Sequence, residues 1–345
     1  TIECDVVPLS AAMLASTIRQ DLNCSEALRQ RESLYLTRTD PYYDSNPIRD
    51  PAWFFGRTAL LDDLTALLSK GRHIAILGSR KIGKTSLINQ LDQRLSSSPH
   101  AVIDCQGVGT AAEHIFAAIS QSLLKSARSL GVVLRGKSAP TPDSSGFSRL
   151  VSEVSGRWSD MGYTSPVLVM FDEIDKLFRD RLAIGAEESL LEFVKVFRSI
   201  RALAQSDRCL VCLVAAYRPD VNRQNLLSPR LGENPMFQAF EETYLGNFSK
   251  GESDRMIRNL GRWKDIRWEP AALSSLFEYC GGHPLVSRYF ASKVTNKGKL
   301  KEIDSSMAER VANEVIDSFR TNDIGSYYKE GIWSHLREGE QQVLR

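Results

Sequence analysis

A glycine-rich stretch between an apolar strand and an apolar helix constrains this chain more than any other feature of its sequence. The residues Gly78-Ser-Arg-Lys-Ile-Gly-Lys-Thr85 fit the pattern G-x-x-x-x-G-K-[ST]. They follow the apolar run His73–Leu77 and precede Thr85–Leu95, whose apolar residues have helical spacing. Glycines let the backbone curl so that successive N–H groups point at phosphate oxygens, and the helix N-terminus adds positive potential. The stretch therefore predicts a phosphate-binding loop at the end of a parallel strand.

The side chains of this loop have different expected tasks. Lys84 is expected to reach the β- and γ-phosphates of a nucleotide, and the Thr85 hydroxyl is expected to bind Mg²⁺. Arg80 is compatible with contact to nucleotide, to a neighbouring subunit or to solvent alone, and the sequence leaves these three alternatives open. The other loop residues expected to contact nucleotide are Gly78, Lys81, Ile82, Gly83 and Ser86.

Two carboxylates follow the later apolar strand Val167–Phe171. The carboxyl ends of parallel strands meet at the ligand crevice, so Asp172 is expected to face the metal bound by Thr85. Glu173 is then placed to orient or deprotonate the attacking water, which makes it the candidate catalytic residue. The alternative is a helix N-terminus, where acidic residues are also favoured. Asp175 is expected to support the site without taking part in the chemistry.

The next apolar strand, Cys209–Ala216, is followed by Tyr217 and Arg218. Arg218 is a candidate sensor of the γ-phosphate, because an arginine can distinguish ATP from ADP through charge-assisted hydrogen bonds. The alternative is an exposed loop arginine. Cys209 and Cys212 have C-x-x-C spacing, but they lie within a buried strand pattern and are interpreted as small core residues.

Strands separated by helices predict an α/β fold, a parallel sheet covered by helices on both faces. After Gly246 the sequence predicts helices only, beginning with a capping box at Ser249 and Glu252. The predicted strands are 73–77, 101–105, 167–171, 209–216 and a short fifth strand at 243–245; the predicted core helices are 60–68, 85–95, 111–130, 147–161 and 187–204.

Composition excludes several classes of protein. The 345 residues are enough for two or three domains, and 44 basic against 42 acidic residues give a net charge of +2. This balance does not favour a nucleic-acid partner. No apolar run is long enough to cross a membrane, and the six sparse cysteines favour a reducing, cytoplasmic location. Because the chain begins at Thr1 and ends inside a helical pattern, we expect it to be a piece of a longer protein.

Weaker motifs flank the phosphate loop in a characteristic order. They are Asn46-Pro-Ile48, Phe54-Phe-Gly-Arg57 and Gly281-Gly-His-Pro284. With the loop and the Asp-Glu pair, this order resembles the bacterial AAA-like ATPases of the STAND class, which are signal-transducing P-loop NTPases with an added strand and a catalytic glutamate. The absence of an Asn-Lys-x-Asp signature favours adenine over guanine.

The resemblance implies further site residues. In that class the Phe-Gly-Arg segment lines the adenine pocket, which would involve Ile48, Phe55, Gly56 and Arg57. A Pro in the position of Pro284 packs a helical lid on the base. His283 is compatible with contact to nucleotide or with exposure to solvent.

The resemblance also implies a domain organisation. Residues 1–43 would be an N-terminal helical or linker segment and residues 44–246 the P-loop NTPase core. Residues 247–325 would form an all-helical lid. Residues 326–345 would start a winged-helix domain, whose first helix is expected at Trp333–Leu344.

The function that this class implies is a slowly hydrolysing ATP switch. ADP would hold a closed state, and ATP with Mg²⁺ would open it and permit self-association. An unknown trigger and an effector outside this chain would complete a response such as antiviral defence. The alternatives are a DNA-handling ATPase of the origin-recognition or transposition loader type, which the neutral charge disfavours, and a scaffold without activity, which the intact Lys84, Thr85, Asp172 and Glu173 disfavour.

Overall fold

A computed structural model describes most of the chain. The described residues are 40–42, 46–135, 140–177, 186–206, 209–217, 220–262, 264–298, 301–317, 323–326 and 329. The helices predicted before residue 40, the sensor candidate Arg218 and the predicted winged-helix start at Trp333–Leu344 lie outside the described residues.

Helices separate the strands from Ile74 to Ala216, as the sequence predicts. The elements from Thr58 to Tyr244 are α1 (Thr58–Ser69), β1 (Ile74–Leu77), α2 (Lys84–Arg94), β2 (His100–Asp104), α3 (Ala112–Ser129), α4 (Ser144–Asp160), β3 (Val167–Asp172), α5 (Ala186–Ser206), β4 (Leu210–Ala216), α6 (Asp220–Arg223), β5 (Leu226–Ser228), β6 (Gly232–Glu233) and β7 (Glu241–Tyr244). Short 3-10 helices cover Pro51–Trp53 and Ile174–Lys176.

The main sheet of the described chain has five parallel strands in the order β2-β3-β4-β1-β7. This confirms the predicted parallel α/β core. Strand β4 lies between β1 and β3, so the phosphate loop after β1 and the carboxylates after β3 are separated by a single strand. All five strands present their carboxyl ends at the same edge.

Alternate residues of the central strands enter two different cores, because successive side chains point to opposite faces of a sheet. Ile74 and Ile76 pack with the leucines of α1 and α2. Ala75 and Leu77 pack with the apolar faces of α3, α4 and α5. Both faces are therefore covered by helices, which explains why these strands are continuous apolar runs.

The stretch between β4 and β7 contains an antiparallel pair, β5 with β6, that the sequence does not predict. Strands of two and three residues are too short to carry a period-two signal. Asn222 and Asn234 fix this stretch instead. Asn234 Nδ2 donates to the carbonyls of Val221 and Gln224, at 2.8 and 2.9 Å.

A second unit follows β7 and has its own apolar core. The expectation that it contains helices only is wrong in one respect: Arg267 pairs with Glu302, and Trp268 with Ile303, in a two-residue parallel pair. Pairs this short leave no pattern in a sequence. The elements of the unit are α7 (Lys250–Arg262), β8 (Arg267–Trp268), α8 (Pro270–Cys280), α9 (Pro284–Gly298), β9 (Glu302–Ile303), α10 (Ser305–Asp317) and the short α11 (Asp323–Ser326).

The segment before α1 contacts both units. Tyr42 is fully buried in the helical unit, where its hydroxyl accepts a hydrogen bond from Trp268 Nε1 at 2.7 Å and its carbonyl accepts one from Arg288 Nε at 2.6 Å. A few residues later, Ile48 N donates to Ser86 Oγ in α2 at 2.9 Å. None of the described helices is long and apolar enough to cross a membrane.

Candidate functional site

The glycine-rich loop joins β1 to α2, and α2 begins at Lys84. Gly83 has a φ of +105°, a conformation that side chains disfavour, and a Cβ there would lie 2.8 Å from Nη1 of Arg57. The loop therefore requires glycine at this position for its backbone conformation and for the close approach of Arg57. The loop thus lies between an apolar strand and a helix, the context that the sequence predicts.

Lys84 lies inside this loop and is 9% exposed. Its ammonium donates to the carbonyl oxygens of Gly78 at 2.8 Å and Ser79 at 2.9 Å. Burial lowers the pKa of Lys84, and the nearby carboxylates, Asp175 first, oppose that shift. A buried cation that donates to two loop carbonyls is placed to bind an anion that enters the loop.

Asp172, at the end of β3, forms a hydrogen bond with the Thr85 side chain. Burial raises the pKa of Asp172, and the bonds from Thr85 and from Glu173 N–H oppose that shift. A hydroxyl beside a carboxylate suits Mg²⁺, which prefers oxygen ligands and shares its coordination with phosphates and water. The described part of the chain contains no group of three or more His, Cys, Asp and Glu side chains placed to hold a metal ion.

Glu173 has a φ of +50°. Non-glycine residues in this left-handed region carry backbone strain and are enriched at functional sites. The conformation separates β3 from the short helix Ile174–Lys176. Glu173 is only partly buried, in contrast to the buried Asp172 beside it.

The end of β4 is attached to its neighbours through Tyr217. Tyr217 N donates to Asp175 Oδ2 at 2.7 Å, and the Arg80 guanidinium lies 5.6 Å from the centroid of the Tyr217 ring. Asp175 thus connects two strand ends, in keeping with its expected supporting position. Arg80 contacts Tyr217, a partner for which the sequence carries no signal.

Arg57 is buried behind the phosphate loop. Its Nη1 donates to Ile82 O at 2.7 Å and its Nη2 to Gly246 O at 3.0 Å, and its guanidinium lies 4.9 Å from the centre of the Phe248 ring. Burial lowers the pKa of Arg57 to about 10, so it stays charged at neutral pH. Arg57 therefore joins the loop to the start of the helical unit.

The other residues expected at the base lie on the same side. Ile48 and Phe55 pack against the apolar core of the helical unit, and Gly56 faces the Phe248 ring. Pro284 is the first residue of α9. The structure thus gathers the flanking motifs between the phosphate loop and the helical unit.

His283 is 5% exposed, so the alternative of a solvated turn histidine is wrong. Its ring lies beside the backbone of Arg80, inside the phosphate loop. The preceding Gly282 is tightly held, because a Cβ there would lie 2.1 Å from the carbonyl oxygen of Phe248. The helical unit is therefore in direct contact with the loop.

We predict a stability effect of His283 below neutral pH. Burial, followed by the Arg57 charge, lowers the pKa of His283 from 6.5 to about 4. Between these values the unfolded chain binds more protons, so stability rises with pH across this window and is constant above it. The full difference is about 3 kcal/mol, at 1.36 kcal/mol per pKa unit.

The measurement is the free energy of unfolding of wild type and His283→Gln from pH 4 to 7.5. The wild-type advantage should grow as the pH rises to 6.5. His100 gives a control of opposite sign. Burial by itself would lower the pKa of His100, but hydrogen bonds to Asp92 and Ser98 outweigh burial and raise this pKa. The stabilisation that His100 contributes is present at low pH and lost as pH rises through its folded pKa. A flat difference for His283→Gln would contradict the prediction.

One of the solved structures compared with this chain supports this architecture. The Walker-type ATPase paby2304 of Pyrococcus abyssi superimposes with a TM-score of 0.56 at 16% identity, over 83% of this chain and 79% of that chain. The Thermotoga maritima RuvB Holliday junction branch migration motor gives a TM-score of 0.44 at 16% identity, over 87% of this chain and 78% of that chain. At these identities the first similarity establishes the fold alone. No curated protein sequence gives a significant match.

The family described as Novel STAND NTPase 1 matches residues 46–288, which is more than half of the chain. The match includes the phosphate loop, the carboxylates after β3 and the Gly-Gly-His-Pro turn. This chain belongs to the Novel STAND NTPase 1 family.

Proposed function

We propose that this chain is a nucleotide-operated switch that binds ADP and ATP with Mg²⁺ and hydrolyses ATP slowly. The observation that carries the proposal is the contact between the helical unit and the phosphate loop: Arg57 donates to Ile82 O and packs on Phe248, and the His283 ring lies beside Arg80. Because the helical unit contacts the phosphate loop, its position depends on which nucleotide the loop binds.

In this proposal Lys84 exchanges the carbonyls of Gly78 and Ser79 for the β- and γ-phosphates of the nucleotide. The backbone of the loop, from Gly78 to Ser86, surrounds the phosphates. The base lies between the segment at Ile48 and Phe55 and the helical unit, which acts as a lid through Pro284. Adenine is the preferred base, because the sequence resembles the ATPases of the STAND class.

Thr85 and Asp172 would hold Mg²⁺, which neutralises charge on the phosphates when bound. Glu173 orients the attacking water and accepts its proton. The partial exposure of Glu173 beside the buried Asp172 supports this division of roles. Arg218, two residues after β4, would contact the γ-phosphate.

A nucleotide shifts a switch only through its different affinity for the two states. ADP would stabilise the closed contact between His283 and Arg80. ATP, with its additional phosphate at Lys84 and Arg218, would loosen that contact, open the lid and permit self-association. The trigger and the effector are unknown. The family resemblance supports a role such as antiviral defence, and a cytoplasmic location is part of the same proposal.

The test of this proposal is the oligomeric state of the purified chain with ADP and with a non-hydrolysable ATP analogue. We expect ADP to co-purify, and we expect a larger assembly with the analogue by light scattering. The same molar mass in both nucleotides would contradict the switch.

A further inference from the structure

A cavity of about 290 Å³ lies at the edge of the sheet opposite the phosphate loop. It is bounded by the C-terminal half of α5, by the segment Pro235–Phe240 that leads into β7, and by His73, which precedes β1. The phosphate loop leaves β1 at the other end. The four residues of that strand span about 13 Å at 3.3 Å per residue, so the cavity is separate from the nucleotide site.

The floor of the cavity is apolar and aromatic. Phe197, Met236 and Phe240 line it and are at most 9% exposed. Its volume is at the lower end of the range of small-molecule pockets, roughly 300–1,000 Å³, which suits a ligand of one or two rings. No aspartate or glutamate is among its lining residues.

Two side chains at the cavity, Arg201 and His73, are hydrogen-bond donors. Arg201 is exposed, and its Nη1 donates to Pro235 O at 3.3 Å, which holds the guanidinium at the cavity wall. A guanidinium has five N–H donors, and two of them match a carboxylate. His73 Nδ1 accepts from Cys212 N at 2.9 Å, so a neutral ring carries its hydrogen on Nε2. Burial lowers the pKa of His73, which favours that neutral donor form.

One wall of the cavity is attached to the segment that follows β4. Gln238 N donates to Asn222 O at 3.0 Å, and Phe240 N donates to Asn222 Oδ1 at 3.3 Å. Asn222 is 5% exposed and belongs to α6, which begins two residues after Arg218. A ligand that shifts this wall therefore acts on the chain next to the γ-phosphate candidate.

We propose that this cavity binds a small aromatic carboxylate and that its occupancy biases the nucleotide switch. The aromatic ring packs on Phe197 and Phe240, and the carboxylate pairs with Arg201, with His73 as a second donor. The proposal that the cavity binds this ligand rests only on the residues that line the cavity. The regulatory effect rests on the function proposed above and would make this ligand the trigger or a co-trigger.

The first test is a titration of the wild-type chain with benzoate and with indole-3-carboxylate, followed by saturation-transfer NMR. We expect both carboxylates to bind about 10-fold more tightly than their uncharged amides, since a hydrogen bond to a charged group is lost in the amide. The variant Arg201→Gln should lose this preference. A second variant, Ala204→Leu, fills the cavity and should weaken the binding of acids and amides alike.

Arg198→Gln is the matched control. Arg198 lies on the same helix, is exposed and donates to a backbone carbonyl, Leu231 O, at 3.4 Å, but it does not line the cavity. It should bind the carboxylates as wild type does. Failure of both carboxylates to bind, equal binding of acid and amide, or unchanged binding by Arg201→Gln would each overturn the site.

The regulatory half is tested by the release rate of fluorescently labelled ADP with and without indole-3-carboxylate. We expect a change of about threefold or more in wild type and in Arg198→Gln, but none in Arg201→Gln. An unchanged release rate overturns the regulatory half and leaves the site. Absence of ADP binding overturns the proposed function and the regulatory half together, while the NMR titration still decides the site.

Discussion

Replacement of Lys84 by alanine is expected to weaken binding of ATP and ADP by about 100-fold or more. The ammonium is buried in the loop and bonded to two carbonyls that phosphate oxygens would replace. Hydrogen bonds to charged groups contribute about 1.5–3 kcal/mol each, so the loss of two costs at least about 3 kcal/mol, or two orders of magnitude. The measurement is isothermal titration calorimetry with each nucleotide and Mg²⁺.

The control for this experiment is Lys81→Ala, which makes the same change of charge in the same loop. Lys81 is exposed, and its backbone N–H is kept in the variant. Its nucleotide affinity should stay within about 10-fold of wild type, since an exposed charge is screened by solvent. Thermal unfolding of both variants establishes that the loop change leaves the fold intact. Wild-type affinity in a folded Lys84→Ala protein would rule out the phosphate-loop assignment.

The part of the fold predicted from sequence is the part with long, regular patterns. The strand Val167–Asp172 is long enough to show a continuous apolar run, and the helix Ala112–Ser129 is long enough to show helical spacing of its apolar residues. The pairs β5–β6 and β8–β9 show neither pattern, because their strands have only two or three residues. Tertiary packing, such as the burial of Trp268 and Ile303, holds these short pairs in place.

The candidate site also has a part that the sequence predicts and a part that it does not. A motif of fixed spacing located Lys84 and Thr85, and the topology of parallel strands placed Asp172 beside them. The contacts of Arg57 with Ile82 and of His283 with Arg80 join residues far apart in sequence, and a single sequence contains no signal for such pairs. The weak flanking motifs indicated which residues take part, but not that two of them hold the loop.

Replacement of Glu173 by glutamine is expected to lower ATP turnover by about 100-fold or more while ATP affinity stays within about threefold. Glutamine keeps the size of the side chain and is expected to keep the φ of +50°, but it does not accept a proton from water. General base catalysis contributes about 10²–10⁴-fold to such reactions. Burial raises the pKa of Asp172 and the Glu173 charge adds to that rise, so loss of this charge favours the ionised form of Asp172.

The measurements are phosphate release for turnover and calorimetry for binding, with Glu188→Gln as the control. Glu188 is an exposed carboxylate at the start of α5, and its replacement should change neither quantity. Since Glu173→Gln should hold ATP without hydrolysing it, plain ATP should give this variant the larger assembly that wild type forms only with the analogue. Wild-type turnover by Glu173→Gln would remove Glu173 from the chemistry. A variant that binds ATP without turnover and still stays in the smaller state would separate nucleotide binding from self-association and contradict the switch.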